Sequence, residues 1–317
     1  MTILGRAVEK MKDEPVIEAR HRLEQPASHQ PPAAADSKPR GSSSVLGPDE
    51  PPPMRVVRMD RQNMLAAGMV PAESDRAVSA EQFRVIKHEL IDYCAVAEPA
   101  GFSPREFVMV TSAQPDDGKT FTAVNLALSM TSERDYDVLL VDGDVARAHL
   151  TRSLGLADEP GLLDALRERK RSFSSVIYAT DKPRLHLLPA GTWSEDATEL
   201  LSSDRMRRFM RELHLHYPLR LVVLDSSPAL LIPDARVLAG MVGQIVLVVK
   251  AGSTLQQDVK EAAALLNGPD RRVALVLNQM SSNKLLDSIT GYRYGYGYGK
   301  GYRGRRSADI NDSAPTG

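Results

Sequence analysis

Hydrophobic positions fall into short, nearly unbroken runs, separated by stretches whose apolar residues recur at helical spacing. The runs are F-V-M-V from Phe107, V-L-L-V from Val138, L-H-L-L from Leu185, L-R-L-V-V-L from Leu219, I-V-L-V-V from Ile245 and V-A-L-V-L from Val273. Such runs, rich in valine and leucine with polar residues mostly at their ends, have the composition of strands buried on both faces of a parallel sheet. The intervening segments read as helices: one opening at Lys119, one over 161–170, one long helix over 196–214, and one over 256–266. Strands alternating with helices predict an α/β fold, a doubly wound and mostly parallel sheet. Upstream, Ser79–Ile91 reads as a further helix, with Ser79 and Gln82 as a capping box and Phe83, Ile86, Leu90 and Ile91 as the apolar face. Glu81, Arg84 and Lys87 form a second, charged stripe on it.

The ends of the chain follow different patterns. Ile3, Leu4, Ala7, Val8 and Met11 give residues 1–13 a short amphipathic helical pattern. Residues 14–55 turn to Pro, Ala, Ser and charge, too little apolar surface to offset ordering entropy, and read as a disordered linker. Ten of the 21 prolines precede residue 75, so the folded body is expected at 56–290. In the tail, 291–317, Tyr292, Tyr294, Tyr296, Tyr298 and Tyr302 alternate largely with glycine. Side chains spaced this way have no core to enter, and the tail is expected to be exposed and flexible.

Composition narrows the class. A formal net charge of −1 gives no global attraction to nucleic acid. A single cysteine, Cys94, excludes an internal disulfide and suits a reducing compartment. The apolar runs are strand-length, well short of the roughly 20 residues of a membrane helix, and the first ten residues lack a signal-peptide core. A soluble cytoplasmic protein is expected.

The chemistry concentrates after the first long strand, in S-A-Q-P-D-D-G-K-T. This is the phosphate-binding loop pattern G-x-x-x-x-G-K-[ST], with Ala113 in the place of the first glycine. Successive backbone N–H groups and a helix N-terminus there can cradle a polyphosphate, Lys119 can bridge its outer oxygens, and Thr120 can offer a hydroxyl to Mg2+. Three carboxylates, Asp142, Asp144 and Asp225, follow two other predicted strands. A lone carboxylate after a strand is often only a helix cap. Three beside a phosphate loop fit Mg2+-nucleotide chemistry, with one left as a base.

Together S-A-Q-P-D-D-G-K-T, L-L-V-D-G-D and V-V-L-D-S-S-P resemble the Walker A, A-prime and B motifs of the bacterial protein-tyrosine kinases of polysaccharide synthesis and export. I-L-G-R-A-V-E-K, A-A-G-M-V-P, E-Q-F-R-V-I-K, D-G-D-V-A-R and the tyrosine tail are similar to the exosortase-associated tyrosine autokinases. The resemblance implies a P-loop fold and an ATP- and Mg2+-dependent autokinase acting on its own tail tyrosines. It implies that Ala113, Gln114, Asp117, Gly118, Lys119, Thr120 and Phe121 hold the nucleotide, with Asn278 on the adenine side. Thr120, Asp142, Asp144 and Asp225 would serve the metal, with Asp142 as the base. It further implies a homo-oligomeric ring with Glu81, Arg84 and Lys87 at the contact, a membrane-embedded chain-length partner that recruits the protein to the inner face of the membrane, and a cognate tyrosine phosphatase. Two positions depart from the family's pattern: Ala146 stands where an arginine is common, with Arg147 adjacent, and Lys87 replaces the last arginine of the helix motif. The alternatives are a partition-type positioning ATPase, which would carry a lysine where Gln114 stands, and a non-catalytic scaffold. A GTPase is disfavoured because the last strand ends L-N-Q-M.

Overall fold

A computed structural model describes residues 55–94, 104–216 and 219–280. The amphipathic segment, the linker and the tyrosine tail lie outside them. Eight strands form one sheet: β1 Val56–Val57, β2 Phe107–Ser112, β3 Asp137–Asp142, β4 Tyr178–Thr180, β5 Leu185–Leu188, β6 Leu219–Asp225, β7 Gln244–Lys250 and β8 Arg272–Asn278, in the order β1-β4-β5-β3-β6-β2-β7-β8. Every pairing is parallel except β4 with β5. This is the expected doubly wound sheet, and β2 is an interior strand between β6 and β7.

Alternation along the strands feeds two cores. In β2, Phe107 and Met109 pack with Leu139, Val141 and Leu224 on one side, while Val108 and Val110 pack with Leu140 and Val223 on the other. Both faces are covered, which is why the strand runs are apolar throughout. One layer contains α1 Arg61–Ala66, α2 Arg76–Cys94, α3 Lys119–Met130 and α4 His149–Ser153. The other contains α5 Leu162–Arg167, α6 Ala197–Ser202, α7 Asp204–His216, α8 Pro233–Ala239 and α9 Gln256–Leu266.

Several local expectations are corrected. The helix predicted from Ser79 begins at Arg76, after a 3-10 turn at Glu73–Asp75, so Ser79 lies inside it and caps nothing. The helix expected over 196–214 is two, because Ser203 is extended (φ −70°, ψ 158°) and its hydroxyl donates to the Leu200 carbonyl. The helix over 161–170 stops at Arg167. The charged stripe on α2 is broken: Glu81 and Arg84 are exposed and paired, but Lys87 is buried, with Nζ 2.6 Å from Glu133 and donating to the Ser129 carbonyl at 3.2 Å. No helix among the described residues is long and apolar enough to cross a membrane.

Candidate active site

The parallel strands deliver their carboxyl ends to one edge of the sheet, and the chemically distinctive residues collect there. β2 ends at Ser112, the loop 113–118 follows, and α3 opens at Lys119. Ala113 is buried and is not among the residues with positive φ, so its methyl group brings no backbone strain where the pattern has glycine. Glycine is favoured at position 118 on two counts. Its φ is +96°, and a Cβ there would lie 2.0 Å from the Asn278 amide nitrogen. The loop is braced from several sides: Asp117 accepts from the Gln114 N–H at 3.1 Å and from the Thr254 hydroxyl at 2.7 Å, and Asn278 Nδ2 donates to the Asp117 carbonyl at 2.9 Å. Gln114 Nε2 donates to Asp258 at 3.0 Å.

Lys119 Nζ sits 2.9 Å from Asp144, whose other oxygen accepts from the Ser227 hydroxyl at 3.1 Å. Asp142 and Asp225 are register partners at the ends of adjacent strands, both fully buried. Thr151 donates its backbone N–H (2.8 Å) and hydroxyl (2.7 Å) to one oxygen of Asp142; that hydroxyl also accepts from the Ala190 N–H at 2.9 Å. The other oxygen of Asp142 is buried without a hydrogen-bond partner, and both oxygens of Asp225 are buried without a well-formed hydrogen bond, although the Thr120 hydroxyl is close enough to favour the ionised form of Asp225. Burial pushes Asp142 up to about 6, opposed by the Thr151 bonds. It pushes Asp225 up to about 7, with the Lys119 charge pulling down and Asp142 adding repulsion. Burial pulls Lys119 down, but Asp225 and Asp144 outweigh it and the net shift is upward.

Beside the loop lies a cavity of about 400 Å³ lined by Lys119, Thr120, Phe121, Arg147, His149 and Arg152, among others. The turn that presents the last three passes through Ala148 in the left-handed region (φ 44°), held by N–H bonds from Arg147 and Ala148 to the Asp144 carbonyl.

No protein-family model matches the chain. Tyrosine-protein kinase YwqD of Bacillus subtilis (strain 168) is 28% identical over 230 residues, which is 72% of this chain and 93% of that protein. Tyrosine-protein kinase etk of Escherichia coli (strain K12) is 32% identical over 152 residues, 48% of this chain and 20% of that protein. The solved kinase domain of Escherichia coli tyrosine kinase ETK superposes with a TM-score of 0.56 at 27% identity, covering 70% of this chain and 80% of that one. The chain is a relative of the bacterial tyrosine-protein kinases. It spans nearly all of YwqD but only a fifth of etk, so its likeness to the latter concerns that part alone.

For a relative of these kinases, the residues present suit a nucleotide with a divalent cation. Among the described residues no three acidic, histidine or cysteine side chains make an all-protein metal cage. Mg2+ does not need one, since it keeps several waters and takes one or two carboxylates plus phosphate oxygens. The orphaned oxygens of Asp225 and Asp142 are buried acceptors in need of such a partner. The structure brings Lys119, Thr120, Asp142, Asp144 and Asp225 together as expected, with Asn278 bracing the loop. Sequence reasoning missed Thr151, His149 and Arg152. A basic and hydroxyl-bearing stretch, A-R-A-H-L-T-R, directly after the second aspartate was the available signal.

Proposed function

We propose that this chain is an ATP- and Mg2+-dependent protein-tyrosine autokinase whose acceptors are Tyr292, Tyr294, Tyr296, Tyr298 and Tyr302. The observation that carries this is the pairing of Lys119 with Asp144 beside orphaned carboxylate oxygens on Asp142 and Asp225, at the mouth of a phosphate loop. In this reading the loop N–H groups, with Ala113, Gln114, Asp117, Gly118 and Phe121 around them, receive the phosphates, and Lys119 bridges the β and γ oxygens. Thr120, Asp144 and Asp225 hold the metal's water shell, with Asn278 near the base. Mg2+ held there would neutralise charge on the phosphate oxygens.

Asp142 is the assigned base. Thr151 fixes one oxygen and leaves the other free, so the carboxylate has a defined direction. A phenol with a pKa near 10 is protonated at neutral pH. A carboxylate raised to about 6 remains ionised there and is more basic than an ordinary aspartate. Gln114, tied to Asp258, occupies the position where the resembling partition-type ATPases carry a lysine, which favours the kinase reading.

The finer assignments belong to the same proposal: the exosortase-associated branch, a kinase domain over 56–290 with tail 291–317, regulation of exopolysaccharide synthesis and export, a ring joined through α2, a cognate phosphatase, and recruitment to the inner membrane face by a membrane-embedded chain-length partner. Radiolabelled ATP tests the core claim. Label should appear on the tail tyrosines, identified by mass spectrometry, and disappear in Lys119→Ala. Phosphate release without labelled protein would instead establish an ATPase. Mixing Lys119→Ala protein with an active protein lacking the tail tests transfer between subunits, since labelled Lys119→Ala tails can arise only in trans.

A further inference from the structure

Far from the phosphate loop in function, α7 and the turn after α5 present a concentrated positive surface. Residues 167–171 and 204–215 hold eight arginines and lysines against three carboxylates, in a chain whose formal net charge is −1. The two segments are locked together by Arg205. Its guanidinium donates to the carbonyls of Ala165, Glu168, Arg169 and Arg171 at 2.7, 2.8, 3.2 and 3.1 Å, and lies 5.0 Å from the ring centroid of Phe173, which packs on Phe209. Arg205 thereby ties the turn after α5 to α7.

Within it the carboxylates of Glu168 and Asp204 are taken by Arg171 and Arg207. Arg169, Lys170, Arg208 and Arg211 are exposed and have no ion-pair partner among the described residues. Arg167 joins the turn to the next segment through Ser194, the residue that follows Trp193, and through Asp196 at 3.6 Å. Trp193 is 57% exposed and is the sole tryptophan of the chain. Nearby Glu195, Glu199 and Glu212 dilute the charge but do not cancel it.

We infer that this face binds the surface of an anionic lipid bilayer directly, in addition to any protein that recruits the chain. The inference is independent of the kinase assignment. The apolar side of α7 (Met206, Phe209, Met210, Leu213) is already in the core, and Leu215, 66% exposed, is the one large apolar side chain the helix leaves outside it. What remains is peripheral contact: guanidinium and ammonium groups against phosphate headgroups, with one indole at the depth where an apolar ring with a polar N–H is favoured. A single exposed aromatic among the described residues of this face suits this better than single-stranded nucleic acid, which uses several rings as stacking platforms.

Trp193 is its own reporter. The full chain mixed with phosphatidylcholine–phosphatidylglycerol vesicles should show a blue shift of its tryptophan emission, reversed by salt, and no shift with phosphatidylcholine alone. Substituting Arg169→Glu, Lys170→Glu, Arg208→Glu and Arg211→Glu together should weaken partitioning by about 10²-fold or more, with the thermal melt and solution phosphotransfer unchanged. If that variant fails to fold, Arg208→Gln with Arg211→Gln should weaken it about 10-fold. Protein that sediments with the vesicles while the tryptophan emission stays put would overturn the inference and assign the contact to another segment. So would an equal shift, at the same salt, with a single-stranded oligonucleotide.

Discussion

The two ends of α3 each hold a buried lysine, and the two behave as opposites. Lys87 reaches in from α2 to the C-terminal end, where unpaired carbonyls and the negative end of the helix dipole favour a cation. It finds the Ser129 carbonyl, the Ser132 hydroxyl and Glu133 there. Lys119 sits at the N-terminal end, where the dipole disfavours a cation, and only carboxylates beside it make its charge tolerable. The first lysine is satisfied and structural. The second is balanced by Asp144, which also takes the Ser227 hydroxyl, and by Asp225, whose oxygens lie buried without a well-formed hydrogen bond, an arrangement that an arriving polyanion and its metal would complete. Burial and pairing alone do not separate a structural lysine from a functional one; what its partners still lack does.

The contrast can be broken by swapping which property suffers. Lys119→Ala should lower self-phosphorylation by about 10³-fold or more, since it removes charge stabilisation from the transferring group. The variant should still fold cooperatively, with its melting temperature lowered because Asp144 is left buried without its counterion; retained phosphotyrosine would remove Lys119 from the chemistry.

Acidity sharpens the picture of the N-terminal end. An unfolded aspartate ionises near 3.8, whereas Asp225 holds its proton up to about 7. Between those values the unfolded chain releases a proton that the folded chain keeps, so stability falls as pH rises through the window and the full penalty applies above it. Asp225→Asn should therefore stabilise the protein by about 2–4 kcal/mol at pH 8 and leave it little changed near pH 4. Melting curves at the two pH values measure this, and a difference that grows on acidification would refute the buried-acid assignment. For Asp142, raised to about 6, the acid limb of phosphotransfer should fall near that pH, well above an ordinary aspartate.

At the other end, Lys87→Ala should cost about 1–3 kcal/mol, less than a fully buried pair because Glu133 keeps contact with water. Phosphotransfer per folded molecule should persist. A large loss of activity at unchanged stability would mean that this lysine also serves the site. The smallest effect is expected at the exposed Glu81 and Arg84: reversing both should leave the monomer's melting temperature unchanged. If the proposed ring uses them, sedimentation should show smaller assemblies.

The strands and the tips of the sheet were legible because burial on both faces writes an uninterrupted apolar code, and the loop pattern with its carboxylates marks the edge where those strands end. What escaped was set by tertiary contact. β1 and β4 have two and three residues, too few to show a period. Lys87 looked like a solvated charge because spacing on α2 does not reveal that the end of α3 lies beneath it. Thr151 carries no motif of its own, and its role exists only because the turn through Ala148 folds it back onto Asp142. The break at Ser203 is a single extended residue inside an otherwise helical pattern.

The closure of β8 over the phosphate loop has a mechanical side. Asn278 and Gln279 donate side-chain amides to the carbonyls of Asp117 and Asp116, at 2.9 and 3.3 Å. A load applied to the chain beyond Met280 is therefore borne early by two bonds that also shape the phosphate loop. Coupling of this kind is reciprocal. Tension there would loosen the grip of the loop, and a filled loop would resist the pull.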